Sequence, residues 1–190
     1  SMRSSLEVES KEDGQVAVPA RLIIDILRTL PEQPVTFTID TTSNAIELTS
    51  DNGKYKISGE GAEDFPKFPE VENGSTVSLS SRVMNRAINN TLFAIVNDEL
   101  RPALMGLLME MTPLDFKFVS TDGNKLVKYR REDVRADNAD TFILPRQALN
   151  LLKNSLPDAD VQVAVTYNST NALFTFCHVQ LIFRLISERF

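Results

Sequence analysis

The sequence predicts an α+β fold assembled from repeated units, each a helix followed by an antiparallel meander, and three observations carry that expectation. One stretch occurs twice: residues 18–35 and 144–161 both set two prolines twelve positions apart, Pro19 with Pro31 and Pro145 with Pro157, and every later position lies 126 residues after its earlier counterpart. Between each pair of prolines, apolar residues recur at helical spacing. After each pair, alternating runs are broken by Asn-, Asp- and Gly-rich turns.

Taken in order, residues 3–10 alternate Leu6 and Val8 with polar neighbours, the period of a half-buried strand. A turn at 11–14 leads into a second short strand at 15–18. Pro19 belongs in the first helical turn, where it gives up only an N–H that has no intrahelical partner. Pro31 stops the helix, because the residue before a proline is pushed out of the helical region. Leu22, Ile23, Ile26, Leu27 and Leu30 are expected inward, and Arg21, Asp25 and Arg28 outward. Strands are expected at 35–40, 45–49 and 55–58, with Asp51-Asn52-Gly53 a strong hairpin signal.

From 59 to 74 periodicity is lost in two Phe-Pro pairs, glycines and acids, a stiff extended connector and the best boundary between a segment 1–70 and a segment 71–190. A third, weaker copy of the helix follows at 77–92. It places Val83, Met84, Ala87, Ile88 and Leu92 inward and Arg82, Asn85, Arg86 and Asn89 outward, with Ser80 or Ser81 as N-cap. Residues 97–102 form a polar loop, 103–111 a buried strand, 115–120 and 125–130 a strand pair around Thr121-Asp122-Gly123. The charged run 131–140 has few apolar anchors and is expected to be mobile. In the last unit Ala148, Leu149, Leu152 and Leu156 point inward, while Arg146, Gln147, Asn150, Lys153 and Asn154 point outward. Strands at 161–167, 172–176 and 179–186 complete it.

With 190 residues, 42% of them hydrophobic, the chain can bury a sizeable core in one or two domains. It carries no apolar run near the length of a membrane span and no leader pattern, so no membrane segment is expected. One cysteine, Cys177, excludes a disulfide framework or a multi-cysteine zinc cluster. Net charge is −6, yet the three helical segments 19–30, 80–92 and 145–156 carry +1, +2 and +2, leaving −11 elsewhere. Base concentrated on helices can attract a polyanion locally while the remaining surface repels it. Ordinary solvation of a polar helix face also explains such charges and, the repeat aside, is the more usual reason for them.

Signs of catalysis are scarce. No phosphate-binding glycine loop, dinucleotide fingerprint, nucleophile elbow or His-Glu-x-x-His pair occurs. The single histidine, His178, adjoins Cys177, but neighbours in a strand point to opposite faces, so a buried thiol beside a surface imidazole is expected there. Asp137 with Asp140 and Glu7 with Glu9 occupy settings where solvated acids are the rule. No catalytic residue, metal site or cofactor is expected.

Taken together, Val18-Pro-Ala-Arg21, Ala62-Glu-Asp-Phe-Pro66, Arg101-Pro-Ala-Leu-Met-Gly106, Ser120-Thr-Asp-Gly-Asn-Lys-Leu126 and Leu144-Pro-Arg-Gln-Ala-Leu149 resemble the bacterial sliding clamp, the beta subunit of the replicative DNA polymerase III holoenzyme. The order and spacing of these motifs agree over essentially the whole chain. The resemblance implies a DNA clamp fold, with sheets outside and helices lining an inner face, and a cytoplasmic, nucleoid-associated processivity factor. The family's clamps have three similar domains, and two subunits close head to tail around duplex DNA. Residues 1–70 match the second half of the first domain and 71–190 nearly all of the second, so this stretch alone is not expected to close the homodimeric ring.

The same resemblance implies two surfaces. Arg21, Arg28, Arg82, Arg86, Arg146 and Lys153 on the helices, with Arg101 in a nearby loop, would contact duplex DNA without reading its sequence. Leu104, Thr121, Gly123, Asn124, Lys125 and Leu126 would form one wall of a pocket for linear motifs of the polymerase III alpha subunit, the clamp loader and repair polymerases. The remaining walls lie outside this sequence, and Asn124 and Lys125 depart from the polar pair of some relatives. The unit at 15–60 lacks its partner unit and exposes apolar surface, so self-association is expected. The alternative function is a self-associating structural or interaction module that reuses this fold without encircling DNA; a hydrolase acting through Asp137 and Asp140 stands third.

Overall fold

A computed structural model describes residues 1–188 and 190. They divide into two compact units, Glu7–Lys67 and a larger one made of Ser1–Leu6 with Phe68–Phe190.

In the smaller unit α1 (Ala20–Thr29) precedes a meander of β2 (Thr36–Asp40), β3 (Ala45–Ser50) and β4 (Gly53–Ser58). Pro19 sits at the N-cap, one position earlier than expected, and Leu30 is extended at ψ 136° ahead of Pro31. Gly53 takes φ +140°, in the left-handed region where a side chain is strained, and so closes the β3–β4 hairpin. Ile46, Leu48 and Ile57 form the core, with Val16, Val18, Ile23 and Ile26 packed against it.

Leu22 and Leu27 do not turn inward as the periodicity suggested. With Ile24, Phe37 and Ile39 they remain between 39% and 55% exposed, because a sheet of three strands covers only the Ile23–Ile26 stripe of the helix. The apolar surface expected on this unit is therefore present. Of the strand expected at 15–18, a single bridge between Ala17 and Glu60 forms.

The larger unit is a pair of interlocked halves. Its first half runs β5 (Ser75–Ser80), α2 (Ser81–Thr91), β6 (Gly106–Met111), β7 (Phe116–Thr121) and β8 (Leu126–Arg131). Its second half runs β9 (Asp140–Pro145), α3 (Arg146–Ser155), β10 (Gln162–Tyr167), β11 (Asn171–Phe176) and β12 (Val179–Arg184). Each half lends its opening strand to the other: β5 pairs with β10, and β9 with β6, giving sheets ordered β1-β12-β11-β10-β5, where β1 is Met2–Ser4, and β8-β7-β6-β9. All pairings are antiparallel, and one continuous core holds α2, α3 and both sheets. Phe116, Phe118, Phe174, Met84, Leu107, Leu144 and Leu149 are wholly enclosed. The internal repeat is structural too, since α3, β10, β11 and β12 each begin 126 residues after α1, β2, β3 and β4.

Several local expectations are corrected. Only Met2–Ser4 forms a strand, β1, at the edge beside β12, and Leu6 and Val8 are exposed because no sheet face receives them. Pro102–Met105 is a turn of 3₁₀ helix, so the strand expected from 103 begins at Gly106. Residues after β8 are not left loose: Val134 and Ala136 are buried, and the Ala136 N–H donates to Thr112 O at 3.0 Å. Cys177 is exposed in the tight β11–β12 turn at φ +47°, not buried, because the strand ends at Phe176.

Candidate nucleic-acid interface

Helix α2 owes its position to two neighbouring serines. Ser80 caps it, its Oγ accepting the Val83 N–H at 3.2 Å. Ser81 is buried in the first turn, where its Oγ donates to Ala159 O at 2.9 Å and accepts the Val161 N–H at 3.1 Å. These bonds tie the start of one helix to the loop after the other.

With Val83, Met84, Ala87 and Ile88 buried, Arg82, Arg86 and Asn89 face solvent as the sequence indicated. Arg82 has one loose acidic neighbour, Asp160 at 3.9 Å, beyond hydrogen-bonding distance. Helix α3 packs against α2, buries Ala148, Leu149 and Leu152, and exposes Arg146, Asn150 and Lys153. Arg146 is fixed at the helix start by donating from Nη1 to Ile95 O at 3.1 Å. In the smaller unit Arg21 and Arg28 are exposed on α1.

Arg101 lies in the loop just ahead of the 3₁₀ turn Pro102–Met105. Its Nε donates to Asp98 at 2.8 Å, and its guanidinium lies against Gly123, where an added Cβ would approach Nη1 to 3.1 Å. The structure thus sets Arg101 against Gly123 of the β7–β8 turn, which carries Thr121, Asn124, Lys125 and Leu126, the other residues expected to wall a peptide pocket, with Leu104 half-buried on the turn that follows Arg101.

The β7–β8 turn is built tightly. Thr121 Oγ1 donates to Lys125 O at 2.6 Å and accepts the Gly123 N–H at 3.1 Å, while Gly123 takes φ +88°. The Asp122 carboxylate accepts the N–H groups of Lys125 at 2.8 Å and Asn124 at 3.0 Å, and these backbone bonds hold its pKa down to about 2. Leu126 projects from the turn 67% exposed, an apolar side chain with polar neighbours.

Two cations absent from the sequence expectation flank the exposed start of α2. Arg131, the last residue of β8, and Arg135, in the run that follows it, line a groove with Arg82 and Arg86. Only tertiary packing could have revealed them, since their direction depends on the burial of Val134 and Ala136. A larger cavity of about 970 Å³ lies elsewhere, lined by Glu72, Glu110, Asp140 and Glu188, and is unsuited to a polyanion. Asp137, Asp140, Glu7 and Glu9 are exposed, and no group of three or more metal-ligating side chains is gathered among the described residues.

Solved structures with this architecture include the sliding clamp of Bacillus subtilis, at TM-score 0.90 and 21% identity over 100% of this chain and 52% of that one. Another is the Bartonella birtlesii sliding clamp, DNA polymerase III subunit beta, solved with griselimycin, at TM-score 0.91 and 26% identity over 100% of this chain and 52% of that one. The fold is therefore that of a sliding clamp. Residues 78–190 match the model of the DNA polymerase III beta subunit central domain, and residues 1–69 match that of its N-terminal domain. The chain belongs to the DNA polymerase III beta subunit family. Among curated relatives, the beta sliding clamp of Staphylococcus epidermidis strain RP62A is 28% identical over 96% of this chain and 48% of its own length. That of Synechocystis sp. strain PCC 6803 is 28% identical over 99% of this chain and 51% of its own. The chain spans about half the length of the curated relatives it matches.

Proposed function

We propose that the chain is part of a DNA-replication processivity factor, a non-catalytic clamp that encircles duplex DNA and tethers the replicative polymerase. Residues 1–70 serve as the second half of the first clamp domain and 71–190 as the second domain. The observation that carries this reading is the pair of family matches running through almost the whole chain. It is supported by the solvent-facing cations of α2 and α3 in a chain that is acidic overall. Arg21, Arg28, Arg82, Arg86, Arg101, Arg146 and Lys153 make loose phosphate contacts, which position a protein without reading bases and permit sliding. Leu104, Thr121, Gly123, Asn124, Lys125 and Leu126 form one wall of a pocket for linear motifs of the polymerase alpha subunit, the clamp loader and repair polymerases. The setting is the bacterial cytoplasm, at the nucleoid.

The test is duplex binding as a function of salt. Each phosphate contact contributes a slope of about 0.9 in log K against log salt, so the double variant Arg82→Glu/Arg86→Glu lowers the slope by about 1.8. Salt-independent binding, or a double variant that binds like the parent chain, contradicts the reading.

A second reading has its own observation. The exposed Leu22, Ile24, Leu27, Phe37 and Ile39 suit a self-associating module that does not encircle DNA. Sedimentation of a chain that forms stable oligomers yet fails to bind duplex at any salt concentration would favour it.

A further inference from the structure

We propose that the groove beside the start of α2 is a discrete phosphate-binding site, in which Arg135 contacts the nucleic-acid backbone together with Arg82 and Arg86. This rests on the reading of α2 as a duplex-facing helix and extends it to a segment outside any helix.

The groove holds about 550 Å³ and is lined by Arg82 and Arg86 from α2 and by Arg131 and Arg135 from the end of β8 and the run beyond it, with Asp133 and Asp160 as its acids. The pairings decide which charges are free. Arg131 is committed: its Nε donates to Asp133 Oδ1 at 2.7 Å, and its Nη1 donates to the Tyr129 hydroxyl at 3.0 Å. Asp133 is thereby neutralised. Asp160 stands 3.9 Å from Arg82 and binds it only loosely. Arg86 and Arg135 have no acidic partner among the described residues, Arg135 making only a long contact from Nε to Glu132 O at 3.5 Å. A net excess of two positive charges therefore rests on side chains free to turn toward an anion.

Position turns that excess into a site. Arg82 and Arg86 are four residues apart on one helix face, so they stack one turn above the other. Val134 and Ala136 are buried on either side of Arg135, which fixes the backbone carrying it and leaves its side chain exposed. Cations from two separate segments lining one open groove suit a linear polyanion, and guanidinium forks match phosphodiester oxygens in pairs.

The experiment measures binding of a fluorescein-labelled blunt duplex to the 190-residue chain across a salt series, for the parent chain and for Arg135→Ala, Arg135→Lys and Lys56→Ala. Arg135→Ala is expected to lower the salt slope by about 0.9, so that its deficit against the parent chain shrinks about 3.5-fold between about 50 and 200 mM salt. Arg135→Lys retains the slope, and so does Lys56→Ala, whose cation lies on the other unit's meander. Because Arg135 is exposed and weakly bonded, thermal melts of all four proteins should coincide. An Arg135→Ala slope equal to that of the parent chain, while Arg82→Glu/Arg86→Glu still lowers it, overturns this proposal and leaves the duplex reading standing. A parent chain that does not bind duplex overturns both. Displacement of the duplex by polyglutamate of equal charge reassigns the groove to an acidic protein and overturns the nucleic-acid assignment.

Discussion

Replacing Ser81 with alanine should weaken the larger unit far more than one hydroxyl suggests. The Ser81 Oγ is buried, donating to Ala159 O and accepting from the Val161 N–H. Removing it deprives the Ala159 carbonyl and the Val161 N–H of their partner in a part-buried setting, where each such loss costs about 1–3 kcal/mol, least where water can reach the group. Because the backbone amide of Ser81 still donates to Val161 O at 2.8 Å, the strands stay together and the loss falls near the lower end, about 2–3 kcal/mol in total. For a chain of this size that corresponds to a fall of about 4–12 °C in melting temperature. The assay is urea unfolding followed by far-ultraviolet circular dichroism, with Ser78→Ala, exposed on β5, as the comparison. If Ser81→Ala unfolds within about 0.5 kcal/mol of Ser78→Ala, which is the scatter of ordinary surface changes, the argument that Ser81 anchors α2 is wrong.

Leu149, enclosed on α3, should lose about 2–5 kcal/mol of stability on change to alanine, whereas Leu22→Ala on α1 should change stability little, both read from urea midpoints. Changing Leu22, Leu27 and Phe37 together to serine should raise the monomer fraction in sedimentation velocity, since the exposed apolar face is on that unit. The Asp122 carboxyl should titrate near 2 by carbon-13 chemical shift. Its folded pKa lies below the unfolded value of about 3.9, so its contribution to the β7–β8 turn is fully present above that value and is lost as pH falls toward 2. A midpoint near 4 would show that the turn bonds do not form.

The helices were legible because proline acts locally. Pro19 and Pro145 have φ near −60° wherever they sit, and Pro31 and Pro157 force Leu30 and Leu156 into extended backbone without help from distant residues. Arg82 and Arg86 could be assigned outward because Val83, Met84, Ala87 and Ile88 fix the buried stripe of α2. Periodicity misplaced Leu22 and Leu27 because it reports which face could be buried, and only the amount of sheet available decides how much is. Arg135 was hidden for the opposite reason. Two small apolar residues, Val134 and Ala136, anchor a run whose composition reads as mobile, and the Ala136 N–H finds its acceptor at Thr112, which no local pattern signals. The exchange of β5 and β9 between halves joins segments distant in sequence, so turns and alternation could not reveal it.

The most direct test of the proposed processivity function adds the protein, with a bacterial DNA polymerase III and clamp loader, to primed circular DNA. The expected result is a large increase in product length per binding event, reduced when Arg82 and Arg86 are both changed to glutamate. Products of the same length with and without the protein would contradict the assignment.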